Sequence, residues 1–126
     1  MKTNEDIENY LLKMGVHFQS PEEGLWVLRL EPSDLMLVLK HEQPILEFMV
    51  SVSKQPQKDL NAFYHQLLEW NATEVVHGAY GLIGDKLVMT TALQTENLDY
   101  NELQAAIESI EMQLQTHYPE LKKFYK

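Results

Sequence analysis

The stretch that decides the fold reads LWVLRL (residues 25–30), EPSD (31–34), LMLVLK (35–40), HEQP (41–44) and ILEFMVSV (45–52). Three apolar runs are separated by two short segments rich in residues that favour turns. Connections this short predict antiparallel neighbours, because a parallel pair of strands needs a crossover of about a dozen residues or more. In the third run, one side of the strand is wholly apolar and is predicted to be its core face, with the residues Leu46, Phe48, Val50 and Val52.

Helical patterns flank these strands. The first helix begins at a capping box formed by Thr3 and Asp6 and ends at Gly15. The segment from Val16 to Gly24 is typical of a loop. The pattern predicts one α+β domain over residues 1–126 with an antiparallel five-stranded sheet and three helices in the order α-β-β-β-α-β-β-α. The remaining predicted elements are a helix from about Asp59 to Trp70, strands at 74–83 and 86–94, and a helix that opens at Asp99 and is interrupted at Pro119.

Composition narrows the classes of protein. A hydrophobic content of 44% and a charged content of 23% are ordinary for a globular domain. The absence of cysteine excludes disulfides, thiolate metal sites and cysteine catalysis, and it fits a cytoplasmic location. The first residues are polar and acidic, unlike a signal peptide, and no apolar run approaches the roughly 20 residues of a membrane span.

The net charge of −9 is unevenly distributed. Residues 59–121 contain one base, Lys86, whereas the last five residues contain Lys122, Lys123 and Lys126. An acidic surface repels phosphate, so we expect neither nucleic acid nor an anionic membrane as partner. Two interpretations stay open: a solvated face that aids solubility, or a surface suited to a basic partner.

No motif indicates catalysis, a cofactor or a metal. Gly78, Gly81 and Gly84 recur at every third position, but they lead into a strand, and a phosphate-binding loop ends on a helix N-terminus. The histidines lie too far apart in sequence for a metal pair on one element, at positions 17, 41, 65, 77 and 117. No Gly-x-Ser-x-Gly motif is present. We therefore predict a protein without enzymatic activity.

Apolar residues beyond those needed for a single core face favour a protein partner instead. The strand at residues 25–30 is apolar on both faces, which indicates either a fully buried strand or one whose outer face meets another chain. We expect this strand to lie at the sheet edge. The predicted partner-binding groove would lie between it and the first helix, with the residues Leu11, Met14, Trp26, Leu28 and Leu30. A Trp26 buried within its own chain would exclude this tryptophan as the anchor.

Four segments resemble class I type III secretion chaperones and the related YbjN-like proteins. They are Tyr10–Gly15 at the end of the first helix, Leu67–Asn71 with its Leu-Leu-x-x-Asn pattern, the hairpin Gly81–Met89, and Leu98–Leu103 at the start of the last helix. The element order and the acidic character also match.

The resemblance implies a non-enzymatic homodimer that holds an extended segment of a protein client. It places the dimer contacts on the second helix and the strand that follows it, at Phe63, Tyr64, Leu67, Trp70 and Val76. It places the client along the sheet and first helix. Two alternatives stay open: a YbjN-like regulatory module without a secreted client, and a small enzyme or ligand sensor with a pocket between sheet and helices.

Overall fold

The computed structural model describes residues 2–126, which form three helices and six strands. The helices are α1 (Asn4–Met14), α2 (Leu60–Thr73) and α3 (Tyr100–Lys123). The strands are β1 (Phe18–Glu22), β2 (Leu25–Arg29), β3 (Met36–Glu42), β4 (Ile45–Lys54), β5 (Ala79–Ile83) and β6 (Lys86–Gln94). The α+β class and the antiparallel sheet with three helices are confirmed, but the sheet has six strands rather than five.

The additional strand is β1, which lies in the segment that was expected to be a loop. The sheet order is β1-β2-β3-β4-β6-β5, and β1 pairs with β2 through Phe18 and Leu28. Pro21 is tolerated because proline in a sheet is confined to edges and irregular positions, and the pairing of β1 is irregular at this point. The prediction that residues 25–30 form the sheet edge is therefore wrong: β2 has a neighbour on each side.

Alternation along the strands separates a covered face from an open one. Leu37 and Leu39 of β3 are buried, whereas Met36 and Lys40 on either side of them are exposed and Val38 between them is half-buried. The same alternation in β4 buries the predicted core residues Leu46, Phe48 and Val50, while Val52 packs partly buried against the core. We call the open side the outer sheet face; the helices cover the other side, where the core lies.

The helix starts follow the sequence signals. In α1 the Thr3 hydroxyl accepts from the Asp6 N–H at 3.2 Å, and the Asp6 carboxylate accepts from the Thr3 N–H at 2.9 Å. The Thr3 N–H, together with the Thr3 hydroxyl that donates to the same carboxylate oxygen at 3.0 Å, lowers the pKa of Asp6, because both bonds favour the charged carboxylate. Gly15 closes α1 in the left-handed conformation. The predicted capping box and C-terminal glycine are confirmed.

The last helix does not end at Pro119, as the sequence suggested, but continues to Lys123. A proline inside a helix removes one backbone donor and costs stability. Packing beyond the proline offsets this cost: Leu121 is buried, and the Phe124 ring meets Phe63 at 5.5 Å between centroids.

Candidate partner-binding surfaces

Most of the predicted dimer residues on α2 face the core of their own chain. Phe63, Leu67 and Trp70 are buried, and Tyr64 is half-buried with its hydroxyl donating to Gln55 at 2.7 Å. Val76, in contrast, is 78% exposed. The part of these residues in a dimer stays a prediction, but Val76 alone among the five presents its side chain to solvent.

Trp70 belongs to a buried aromatic and polar cluster. Its ring stacks on His117 of α3 with centroids 3.9 Å apart and planes 2° from parallel. The imidazole Nδ1 lies 2.7 Å from the Tyr80 hydroxyl, and Nε2 lies 3.1 Å from a carboxylate oxygen of Glu74. Burial, with a smaller effect of the Glu74 charge, raises the pKa of Tyr80. We call Trp70, Glu74, Tyr80 and His117 the His117 cluster; it ties α2, β5 and α3 together.

Two amide side chains fix the backbone between α2 and β5. Asn71 accepts from the Tyr80 N–H at 2.8 Å and donates to the Tyr80 carbonyl at 3.1 Å. Gln113 of α3 accepts from the Val76 N–H at 2.6 Å and donates to the His77 carbonyl at 3.2 Å. The loop that displays Val76 is therefore held by its own chain, and the free edge of β5 is partly capped.

A set of exposed apolar side chains lies on α2, on this braced segment and at the end of β5. We call it the α2–β5 edge, and it consists of Leu68, Val76, Leu82 and Ile83, exposed by 68%, 78%, 40% and 55%. On α2, Leu68 faces solvent, whereas its neighbour Leu67 is buried. Exposed apolar side chains grouped on contacting elements mark an interaction surface more often than single ones do.

The predicted groove between α1 and the strand at residues 25–30 is filled. Trp26 is 1% exposed, and its indole N–H donates to Glu8 of α1 at 3.1 Å. Leu11, Leu28 and Leu30 are buried in the same core, and Met14 packs partly buried against it. The hypothesis of Trp26 as an exposed anchor is therefore wrong, because α1 lies directly on β2 and leaves no room for a client.

Two other apolar surfaces remain open. On the outer sheet face, Val27, Val38 and Met49 are neighbours across β2, β3 and β4, and Met49 is 40% exposed. The second surface is a groove of about 750 Å³ between the C-terminal half of α3, the turn after β2 and the end of β4. We call it the α3 groove. Sequence reasoning missed it because the helix was expected to stop at Pro119, before Tyr125.

A polar recess beside α1 contains a histidine in an unusual setting. The His41 Nδ1 is hydrogen-bonded to the Asn4 side-chain oxygen, so Nδ1 carries the proton and Nε2 is bare. Nε2 is buried and has no partner among the described residues. Burial lowers the pKa of His41 despite the carboxylates of Glu5 and Glu23 in the same recess. Protonation would bury a charged donor without an acceptor.

This setting predicts a pH dependence of stability. The folded state disfavours charged His41, so the unfolded chain binds more protons, and the free energy of unfolding falls as the pH drops below about 6.5. In His41→Gln this contribution to the slope is absent. The control is His65→Gln, on the exposed side of α2. Urea unfolding between about pH 5 and pH 8 measures the slopes; equal slopes for the wild type and His41→Gln contradict the prediction.

Among residues 2–126, no three histidine or acidic side chains are placed to hold a metal ion together. Within the same residues, no helix is both long and apolar enough to cross a bilayer. The candidate functional sites of the described residues are therefore the exposed apolar surfaces: the α2–β5 edge, the outer sheet face and the α3 groove.

Comparison with known proteins assigns the family. Residues 1–126 match the model of the CesT_Tir_1 family, a type III secretion chaperone family. The chain belongs to this family. The resemblance drawn from the helix-end, hairpin and last-helix segments is therefore confirmed. No curated protein matches the sequence.

Solved structures show that this CesT_Tir_1 member shares its fold with proteins of distant sequence. One is a chain in the heterodimeric ExoU–SpcU complex from the type III secretion system of Pseudomonas aeruginosa, with 19% identity and a TM-score of 0.71, covering 93% of this chain and 98% of that chain. Another is YbjN from E. coli, with 15% identity and a TM-score of 0.65, covering 93% of this chain and 94% of that chain. At these identities the likeness concerns the fold.

Proposed function

We propose that this CesT_Tir_1 member is a non-enzymatic, chaperone-like module that works in the cytoplasm as a homodimer and binds an extended segment of a client protein. The observation that carries the proposal is the family match over residues 1–126. The surface supports it, because apolar side chains are displayed on segments that the chain itself holds rigid. Rigid display lowers the ordering cost of association.

The α2–β5 edge is the proposed dimer contact. A twofold axis brings the same patch of both chains face to face, so Leu68, Val76 and Ile83 would each meet apolar side chains of the partner. Asn71 and Gln113 fix the backbone below them. Of the dimer residues expected from the sequence, Val76 contacts the partner directly in this proposal, while Phe63, Leu67 and Trp70 support the surface from beneath and Tyr64 lies at its border.

The client meets the apolar surfaces that α1 leaves open. The groove expected at Leu11 and Trp26 is occupied by the chain's own core, so an extended segment has to lie elsewhere. The net charge of −9 favours client segments that carry basic residues. Family membership supports the absence of enzymatic activity, since binding alone accounts for a chaperone's work.

We predict that the double variant Leu68→Asp, Val76→Asp is a folded monomer. Both side chains are exposed in the single chain, so the substitutions leave its core intact. In the dimer, symmetry places four carboxylates in one apolar contact, where like charges cost several kcal/mol. Sedimentation velocity at tens of micromolar, as an order of magnitude, measures the association state.

The matched control is Met112→Asp. Met112 has the same 68% exposure as Leu68 but lies on α3. We expect this variant to stay dimeric, with the far-UV circular dichroism of all variants unchanged. A wild-type protein that sediments as a monomer at these concentrations would falsify the homodimer. If the Leu68→Asp, Val76→Asp variant still sediments as a dimer, the dimer contact lies on another face of the protein.

A YbjN-like regulatory module is the second candidate, favoured by the fold shared with YbjN. Native mass spectrometry of protein purified from its source cells separates the two functions. A client is expected as an additional polypeptide on the dimer, and its recombinant segment should bind with a negative heat-capacity change, because apolar surface is buried. A dimer that carries no polypeptide favours the regulatory module.

A further inference from the structure

The α3 groove has an apolar floor and aromatic walls. Its floor is lined by Leu35, Val52, Leu114 and Leu121, and its walls by Tyr118 and Tyr125. The volume of about 750 Å³ lies within the range of roughly 300–1,000 Å³ that is common for ligand sites. The side chains of a short peptide segment would fill it.

One wall of the groove is fixed in place. The Tyr125 hydroxyl donates to the Lys54 carbonyl at 2.6 Å and lies 2.8 Å from the Ser53 hydroxyl. Its ring also meets Phe63 edge-on at 6.3 Å between centroids. Tyr125 is nevertheless 43% exposed, and Tyr118 is 60% exposed. Tyrosines at the rim of an apolar groove are the kind of side chain that carries binding energy in protein interfaces, and Tyr125 is held there by its own chain.

Side chains of opposite charge lie near the two ends of the groove. At one end, Gln115 donates to the Glu31 carbonyl at 3.0 Å, and Glu111 lies one helical turn before Gln115. Burial raises the pKa of Glu111, a hydrogen bond with the Glu31 backbone opposes this shift, and the negative charges of Glu108 and Glu31 add to it. Acidic groups therefore lie together here. At the other end, Lys122 lines the groove.

The length between these ends sets the size of the occupant. Eleven residues of helix separate Glu111 from Lys122, which is roughly 16 Å at 1.5 Å per residue. An extended chain rises about 3.3 Å per residue, so about five residues span the distance. A segment of that length can place apolar side chains over the floor and one charged residue at each end.

We infer that the α3 groove binds a short extended segment of a partner protein, in which apolar residues are flanked by a basic residue at the Glu31–Glu111 end and by an acidic residue at the Lys122 end. The inference rests on the proposed function, since it assigns a binding site and a sequence character to the client. Charge complementarity at both ends is what selects this occupant.

The test uses synthetic peptides and nuclear magnetic resonance. Two probes carry opposite end charges, Gly-Lys-Leu-Phe-Leu-Asp-Gly and Gly-Asp-Leu-Phe-Leu-Lys-Gly, because either chain direction fits an extended segment. Two others carry lysine or aspartate at both ends. Amide shifts of Leu35, Val52, Leu114 and Tyr118 are followed in the wild-type protein. We expect one of the mixed-charge peptides to bind most tightly, and Tyr118→Ala to weaken it about tenfold or more.

Charge reversal gives the decisive comparison. In Lys122→Glu the preferred peptide should become the one with lysine at both ends, and the affinity for the mixed peptide should fall roughly fivefold. Lys123→Glu is the control, since Lys123 is exposed next to Lys122 but pairs with Glu120 at 3.1 Å. Equal effects of the two variants, or absence of groove shifts with all four peptides, overturn the inference.

Other outcomes separate this inference from the proposed function. If groove signals shift with protein concentration alone and Tyr118→Ala lowers the association state, the groove is a contact between copies and the inference fails. If the peptide binds but sedimentation shows a monomer, the groove stands and the homodimer fails. If the dimer behaves as predicted while the peptides do not bind, the groove inference fails alone.

Discussion

Replacing Trp70 with alanine is expected to lower the free energy of unfolding by about 3–5 kcal/mol. The indole is 5% exposed and stacks on His117, so its removal leaves a cavity between α2 and α3. Without the indole, the hydrogen bonds of His117 with Tyr80 and Glu74 are exposed to water or lose the ring that packs against them. Urea unfolding followed by circular dichroism measures the loss, which is a large share of the roughly 5–15 kcal/mol of an ordinary domain.

The control for this prediction is Leu68→Ala on the same helix. Leu68 is 68% exposed, so in the monomer its truncation should change the free energy of unfolding by no more than about 0.5 kcal/mol. A charged residue at position 70 is expected to give an unfolded or insoluble chain rather than a folded monomer. The prediction fails if Trp70→Ala unfolds at the wild-type urea midpoint but no longer dimerises; Trp70 would then act mainly in the interface.

The α2 helix shows why the core was partly predictable and the interface was not. Phe63, Leu67 and Trp70 follow the i, i+4, i+7 spacing of one helix face, and this spacing alone predicts that they are buried together. It cannot distinguish burial against the chain's own sheet from burial against a second copy, because both need apolar side chains. Leu68, the residue after Leu67, lies outside the buried face and is 68% exposed, because α2 buries only the face of Phe63, Leu67 and Trp70.

The edge strand β1 was missed for a related reason. The segment at residues 21–24 has the composition of a turn. Because its first two residues, Pro21 and Glu22, belong to β1, this composition masks the short strand. An edge strand buries few side chains; of its residues, Phe18 packs against the core and supplies the apolar signal. Pairing with β1 satisfies the edge of β2, and α1 covers the face that carries Trp26, so only the face of Val27 stays open.

The α3 groove could be predicted from the sequence only if α3 was expected to continue through Pro119. Leu114, His117 and Leu121 keep the i, i+3, i+7 spacing across the proline, so the signal for a longer helix was present. A proline normally ends or kinks a helix, and this expectation conflicts with the periodicity. The walls of the groove, Tyr118 and Tyr125, are seven residues apart and come to the same side only because helical turns continue past Pro119.

Gly78→Ala is expected to be as damaging as the loss of Trp70. A Cβ atom at this position would lie 2.4 Å from the Thr90 carbonyl oxygen, a backbone atom of β6 that cannot give way freely. The φ angle of +87° adds strain of about 1–3 kcal/mol for a residue other than glycine. With the steric overlap, we expect a loss of about 3 kcal/mol or more in the free energy of unfolding.

Two other glycines separate the causes of this effect. Gly84 has φ of +61° but open space around its Cβ position, so Gly84→Ala should cost about 1 kcal/mol from backbone strain alone. Gly81 lies in β5 with open space and without positive φ, so Gly81→Ala should be close to neutral. Because Gly78 precedes β5, its substitution should also displace the loop of Val76 and weaken the proposed dimer. Urea unfolding ranks the three variants, and a Gly78→Ala protein as stable as Gly81→Ala would mean that β5 and β6 approach less closely at this point.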